Sequence, residues 1–395
     1  MKIILLKYFP IVLLAFLFSE ITLRIIKPAS LELYRIQKSY HKLDPEYFVD
    51  LEPNIKVRVK HFMNFYDIQF STNELGFRGT DKINNSMPQI GCIGDSVTMG
   101  FGVNDEETFC YKLNNFQDSK NLVYQSVNLG TDAYGPTAIS LKLKKYLPQL
   151  NLKLLFYFPS TGDDIDERVF EERKTKKLSR FLFTSQFILT KYSYLALALK
   201  ISQEQLVYRT LESLVWPVQK LSRTIKCKSG RLPTDECKDI FLSNGKIDIV
   251  SEFLISRPPP KDEPPIFPES ECTSRVKEFI IPEKMMKSVE EIITQTEERK
   301  IKLVMILAPI DIETAYCSQK GKLHRYYEYL TTLKKILRKK KIDFIDLNEK
   351  TNLMIDSKGR MNPRPFYIVG DGHYTKSGND WIAKILSEKA KEVLK

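Results

Sequence analysis

Ser96 lies in the stretch QIGCIGDSVTMGFGV, residues 89–103, where a short apolar run from Ile90 to Ile93 stops at Gly94-Asp95-Ser96. A serine hydroxyl is a poor nucleophile until a neighbouring base takes its proton, and histidine is the usual base. The chain has four histidines. His41 and His61 fall in an N-terminal lead-in, and His324 falls on what reads as a charged helix. His373 occupies the loop VGDGHYTKSGN directly before a terminal helix, with Asp371 two residues earlier. A carboxylate there can orient the imidazole and stabilise its protonated form. Ser96, His373 and Asp371 are therefore the candidate nucleophile, base and orienting acid.

Residues so far apart in sequence meet only if the chain between them builds the right scaffold. Ile90 to Ile93 reads as a short buried strand, followed by a helix over DEETFCYKLNNF with Phe109, Leu113 and Phe116 at helical spacing. Residues 122–130 read as a second strand, the segment opened by Pro136 as a helix, and 152–160 as a third strand. After an interruption the rhythm resumes with a helix near 283, a strand at 301–309, a helix, a strand at 342–347 and the terminal helix. Five strands alternating with helices predict a doubly wound α/β/α sandwich with a parallel sheet. In such sheets ligands sit at the carboxyl ends of the strands. Gly94-Asp95-Ser96, Gly130-Thr131-Asp132, Gly162-Asp163-Asp164 and Ala308-Pro309 each lie just past a strand.

Four blocks, IGDSVTMGFGV, VNLGTDAYGPTA, PSTGDDIDE and DGHYTKSGNDWIA, resemble those of SGNH (GDSL-type) hydrolases, particularly the membrane-anchored bacterial kind. The resemblance covers about residues 48–166 and 284–393 and implies a three-layer SGNH, flavodoxin-like sandwich with a five-stranded parallel sheet. It implies Ser96 as nucleophile, His373 as base and Asp371 as its acid. The D-x-H spacing is similar to that of polysaccharide O-acetyltransferases, since the position three before His373 is Gly370. It further implies an oxyanion hole from the Ser96 N–H, a second-block N–H that falls at Ala133, and a third-block asparagine position that here holds Asp163. An alanine supplies an N–H readily if its φ is negative. An ionised aspartate only accepts hydrogen bonds and would repel an oxyanion. The implied function is a serine-dependent acyl ester hydrolase or O-acyltransferase, moving small acyl groups such as acetyl on envelope glycans, lipids or small esters. The alternative is a catalytically impaired protein of the same fold that binds glycan or a partner at the envelope. Neither a metal nor an organic cofactor is called for.

The remaining sequence sets the compartment. Lys2 and Lys7 precede an apolar run from Tyr8 to Phe18 that continues into ITLRII without a small-x-small cleavage site. As a helix, Ile3 to Ile26 would be roughly 36 Å long, enough to span a bilayer. The reading is a transmembrane anchor with the rest exported; a cleaved signal peptide is the alternative. Cys92 and Cys110 read as buried thiols, whereas Cys227–Cys237 and Cys272–Cys317 are candidate disulfides. None of the six cysteines has zinc-ligand spacing. The net charge of +12 favours anionic surroundings, and no zinc finger, Walker loop or RNP-like motif points to nucleic acid.

The chain thus divides into an anchor or signal peptide (1–27), an extended lead-in (28–84), a first core part (85–167), a helical and proline-rich insertion (168–282) and a second core part (283–395). In the insertion, Phe181, Phe183, Phe187 and Tyr192 with the basic cluster Arg173, Lys174, Lys176, Lys177 and Arg180 read as a lid or membrane-facing platform, or as simple packing.

Overall fold

Along Leu152–Phe158, Leu154, Phe156 and Phe158 join one hydrophobic cluster while Leu155 and Tyr157 join another. A strand apolar on both faces has to be covered on both. This strand lies inside a six-stranded sheet. In the computed structural model, residues 2–61, 64–203, 272–276, 278–309, 312–324, 327–368 and 372–395 are described. They fall into two compact units: residues 2–35 with 186–203, and the described residues of 36–185 with those from 272 onward.

The first unit contains α1 (Lys2–Ile26), most of α2 (Ala29–Ser39) and a helical run over 194–203. The α2 helix corrects the expectation of an extended lead-in. It follows Pro28, whose carbonyl accepts the Glu32 N–H, and it buries Leu31 and Leu33. Phe9–Ile26 is long and apolar enough to cross a membrane, and none of that window is buried within the protein.

The second unit begins with two antiparallel pairs, β1 (His41–Asp44) with β2 (Phe48–Leu51) and β3 (Lys56–Lys60) with β4 (Asp67–Ser71). The main sheet contains β5 (Gln89–Gly94), β6 (Phe116–Gln117), β7 (Val123–Asn128), β8 (Leu152–Phe158), β10 (Lys302–Leu307) and β12 (Phe344–Asp346), in the order β12-β10-β8-β5-β7-β6. The five expected strands are parallel to one another, and β6 pairs antiparallel with β7 at the edge. Between β5 and β7 lies the four-residue α3 (Ser96–Met99). Helices α4 (Pro136–Tyr146) and α5 (Asp163–Thr175) flank β8, and α6 (Lys177–Tyr192) follows α5, its residues from 186 onward belonging to the first unit. Beyond the insertion come the short β9 (Cys272–Thr273), α7 (Glu283–Glu298), α8 (Ile312–Gln319), β11 (Leu323–His324), α9 (Glu328–Lys340) and the terminal α10 (Lys376–Val393). Helices α4, α7 and α9 cover one face of the sheet, while α8 and α10 cover the other. The result is the α/β/α layering expected from the strand–helix alternation.

Three local expectations change. Residues 105–113 form two 3₁₀ turns instead of a helix. Their first side chains serve other backbone: Asn104 Oδ1 and Asp105 Oδ1 accept the N–H groups of Gln69 and Ser71 on β4. Cys92 and Cys110 are a disulfide, not thiols, with their Cα atoms 6.0 Å apart; Cys272–Cys317 is the second bridge. Cys227 and Cys237 lie outside the described residues. His324 sits on β11 opposite Cys272 rather than on a helix.

The lead-in is joined to the sheet by a buried ion pair. Lys142 of α4 is fully buried and donates to Asp50 Oδ1 of β2 at 2.8 Å and to Thr131 Oγ1 at 2.6 Å. Burial alone would raise the Asp50 carboxyl; the adjoining Lys142 charge and the hydrogen bonds from Lys142, the Leu51 N–H and Tyr47 together outweigh that and hold it below its ordinary value. Asp50 also accepts from Tyr47, Tyr146 and the Leu51 N–H. Breaking one partner of a buried pair costs about 3–5 kcal/mol because the other charge is left uncompensated. Lys142→Met should therefore lower unfolding stability by that order, and Asp50→Asn added to it should recover a substantial part. Denaturant unfolding of the full chain in detergent checks both. An unchanged midpoint in Lys142→Met would contradict the assignment.

Candidate active site

Strand β5 ends at Gly94, where a Cβ would lie 2.3 Å from Thr98 Oγ1 and 2.9 Å from the Phe158 carbonyl oxygen, so only glycine lets the chain turn there. Asp95 caps α3 by accepting the Val97 N–H at 2.9 Å, which points its carboxylate into the helix start and leaves Ser96 at the first helical position. Ser96 is half-buried among fully buried neighbours. The helix stops at Gly100, in the left-handed region at φ 82°.

Arg78 fixes the turn after this helix. Its guanidinium is buried and bonds Asp105 Oδ1 at 2.6 Å, the Val103 carbonyl at 2.7 Å and the Gly100 carbonyl at 3.4 Å, and it lies 4.0 Å above the Phe70 ring. Its backbone pairs with Asn128 of β7. Asn128 in turn donates to the Thr98 carbonyl and accepts the Gly130 N–H, so the first and second blocks are cross-braced.

His373 arrives from the other end of the sequence. Its carbonyl accepts the Ile368 N–H, Tyr374 bridges Tyr367, and both tyrosine hydroxyls donate to the Pro309 carbonyl. Thr375 caps α10, and Asn379 accepts the Phe109 N–H at 2.9 Å, tying α10 to the segment after the serine. Within this frame His373 Nε2 lies 2.7 Å from Ser96 Oγ, and Phe101 packs against the imidazole with ring centroids 4.5 Å apart. Asp371 lies outside the described residues.

In the second block Ala133 has φ 54°, so the condition of a negative φ is not met. An L-residue there costs roughly 1–2 kcal/mol, and glycine is the residue such a position favours. Its neighbours hold it: Thr131 receives the Lys142 bond, and Asp132 Oδ2 lies 2.8 Å from His41 Nε2. The other His41 nitrogen, Nδ1, lies 2.7 Å from the Gln37 carbonyl, which can only accept, so Nδ1 carries a proton. His41, set aside in the sequence as a lead-in residue, thus braces the block containing Ala133. The only local sign of this was the acid at 132.

No family model matches the chain, and no curated protein matches it. Among solved structures, a protein named for the G-D-S-L lipolytic family from Desulfitobacterium hafniense DCB-2 aligns over 78% of this chain and 99% of its own, at 11% identity and a TM-score of 0.35. A likeness at that score carries no functional weight, and the mixed α/β fold stands on its own strand order and layering.

Asp163 begins α5 and is 1% exposed. Its Oδ2 accepts from the Tyr329 hydroxyl at 3.3 Å, and Oδ1 is buried without a hydrogen-bond partner. Burial, and then the Asp95 charge, push its carboxyl well above the usual range. The same two causes bring Asp166 up to about 6. Burial also raises Asp95, against hydrogen bonds from Val97 and Ser160 and the influence of His373. A neutral acid accounts for Asp163: the protonated form needs no counter-charge. The folded chain then holds a proton that the unfolded chain releases above its ordinary value. Stability from this group is complete below that value and is lost as pH rises through the folded one. Asp163→Asn removes the loss. Its melting temperature should exceed that of the native chain by more at about pH 8 than at about pH 4. Thermal unfolding at both pH values checks this, and a gap that shrinks as pH rises would contradict it.

Proposed function

We propose that this chain is a serine-dependent acyl ester hydrolase or O-acyltransferase of the SGNH type. The observation that carries the reading is the 2.7 Å contact between Ser96 Oγ and His373 Nε2 at the carboxyl end of the central sheet. That separation is right for a base taking a nucleophile's proton.

In this reading Ser96 Oγ bonds to the acyl carbon while its proton passes to His373 Nε2. The developing oxyanion receives the N–H groups of Ser96 and Ala133. Collapse of the intermediate breaks the ester bond, and the leaving alcohol takes the proton from His373. Water or a sugar hydroxyl then gives its proton to His373 and attacks the acyl-serine, which regenerates Ser96. Asp371 serves as the acid orienting His373. Asp163, held neutral, puts no negative charge beside the oxyanion, so its presence at the third-block position is compatible with turnover.

The compartment follows from chemistry of a different kind. Two disulfides among the described residues fit an oxidising environment, and α1 fits a membrane anchor with the sheet unit outside the cytoplasm. The substrates proposed are accordingly acylated envelope glycans or lipids, with acetyl and other small acyl groups as the transferred class.

Turnover of a short-chain aryl ester by the full chain in detergent tests the reading. Ser96→Ala and His373→Ala should each lower kcat/KM by a factor on the order of 10⁴ or more. Hydrolysis that survives Ser96→Ala at the native rate would exclude the serine as nucleophile.

A further inference from the structure

The α6 helix has two unlike faces. Phe187 and Thr190 are buried, and Phe183 packs on the core. The opposite face presents Leu178, Phe181, Leu182, Ile188, Leu189 and Tyr192, which are 46–68% exposed. At 3.6 residues per turn these positions fall on one side of the helix, in two groups on either side of Ser185. Of the four aromatics expected to offer apolar surface, Phe181 and Tyr192 face outward, whereas Phe183 and Phe187 turn in. Exposed Lys174, Lys176 and Lys177 lead into the helix.

The carboxyl-side group is joined to the membrane-length helix within a single compact unit. Arg24 of α1 donates to the Tyr192 carbonyl at 2.7 Å, and its guanidinium lies 5.5 Å from the Tyr194 ring centre. Glu20 accepts from Ser193 Oγ and from the N–H groups of Tyr194 and Leu195, so it caps the helical run 194–203 from within α1. Glu20 and Arg24, themselves paired at 2.7 Å, are the only charged side chains in the Phe9–Ile26 window. Charged groups near the end of a spanning helix sit at the headgroup level. The bonds to them hold Tyr192 at the same depth.

We propose that the outward residues of the carboxyl half of α6, Ile188, Leu189 and Tyr192, make a membrane-surface contact at the headgroup layer of an anionic phospholipid bilayer beside the α1 anchor. Their apolar side chains enter the acyl boundary, and Lys27, exposed directly after α1, meets lipid phosphates. The proposal rests on reading α1 as an anchor. It also gives Glu20 and Arg24 a structural task that a cleaved leader would not perform.

The test uses the full chain reconstituted into vesicles of phosphatidylcholine and phosphatidylglycerol, with Ile188→Trp or Leu189→Trp as reporters and the parent chain subtracted. Vesicle flotation reads the anchor independently. The expected result is flotation, a blue-shifted reporter whose emission is lost with brominated acyl chains, and protection from aqueous iodide. Adding Ile188→Glu to the Leu189→Trp reporter should restore iodide access while leaving turnover of a soluble aryl ester unchanged. Flotation with an iodide-accessible reporter indifferent to brominated lipid would overturn the α6 contact and leave the anchor standing. A blue shift that grows with protein density without bromine quenching would assign these residues to a second copy and overturn the contact too. A chain that does not float would remove the anchor and this proposal together, while ester turnover would still report on Ser96.

Discussion

A fully buried arginine is costly unless every part of its charge is answered, and Arg78 is answered by the loops that carry the candidate chemistry. Asp105, the Val103 and Gly100 carbonyls and the Phe70 ring surround the guanidinium, while its backbone pairs with Asn128. The turn after Ser96 is therefore shaped by a residue from the lead-in instead of by its own sequence. The Asn128 side chain continues the brace into the second block, and Asn379 extends it from the 105–113 segment to the helix after His373. Through these few bonds, groups separated by 277 residues approach to 2.7 Å.

The lead-in does similar work at the second block. Asp50 and Lys142 fix Thr131, and His41 fixes Asp132, so both residues before the strained Ala133 are held from outside the strand-loop unit. A position at φ 54° persists in a non-glycine residue only where its surroundings over-determine it, and this one is so determined. The residues that resemble a family motif supply the candidate reacting groups. Residues from β1, β2 and the β4–β5 connection supply their geometry.

Much of this was legible in the sequence. The five parallel strands stood out because each is a short apolar run at a regular interval, and the Gly94-Asp95-Ser96 turn marked the end of the first. Ser96 and His373 could be paired because histidines are few and only one stands in a loop beside an acid. The misses share a physical cause. Residues 105–113 have helical periodicity, but Asn104 and Asp105 bond to β4, and partners 34 or 35 residues away leave no local trace. Cys92 and Cys110 look like core residues because they are core residues, and only the tertiary packing shows that they face each other. Asp163 reads as an ionised aspartate at the third-block position; the cover provided by Tyr329, from a helix beyond the insertion, makes it a buried acid.

The proposed chemistry stands or falls on whether Ser96 is a nucleophile. The most direct measurement is peptide mapping by mass spectrometry after the full chain has reacted with a fluorophosphonate. A single phosphonyl group on Ser96, absent in His373→Ala, is the predicted result. A native chain that takes up no label, or takes it on another residue while Ser96 stays unmodified, would contradict that role.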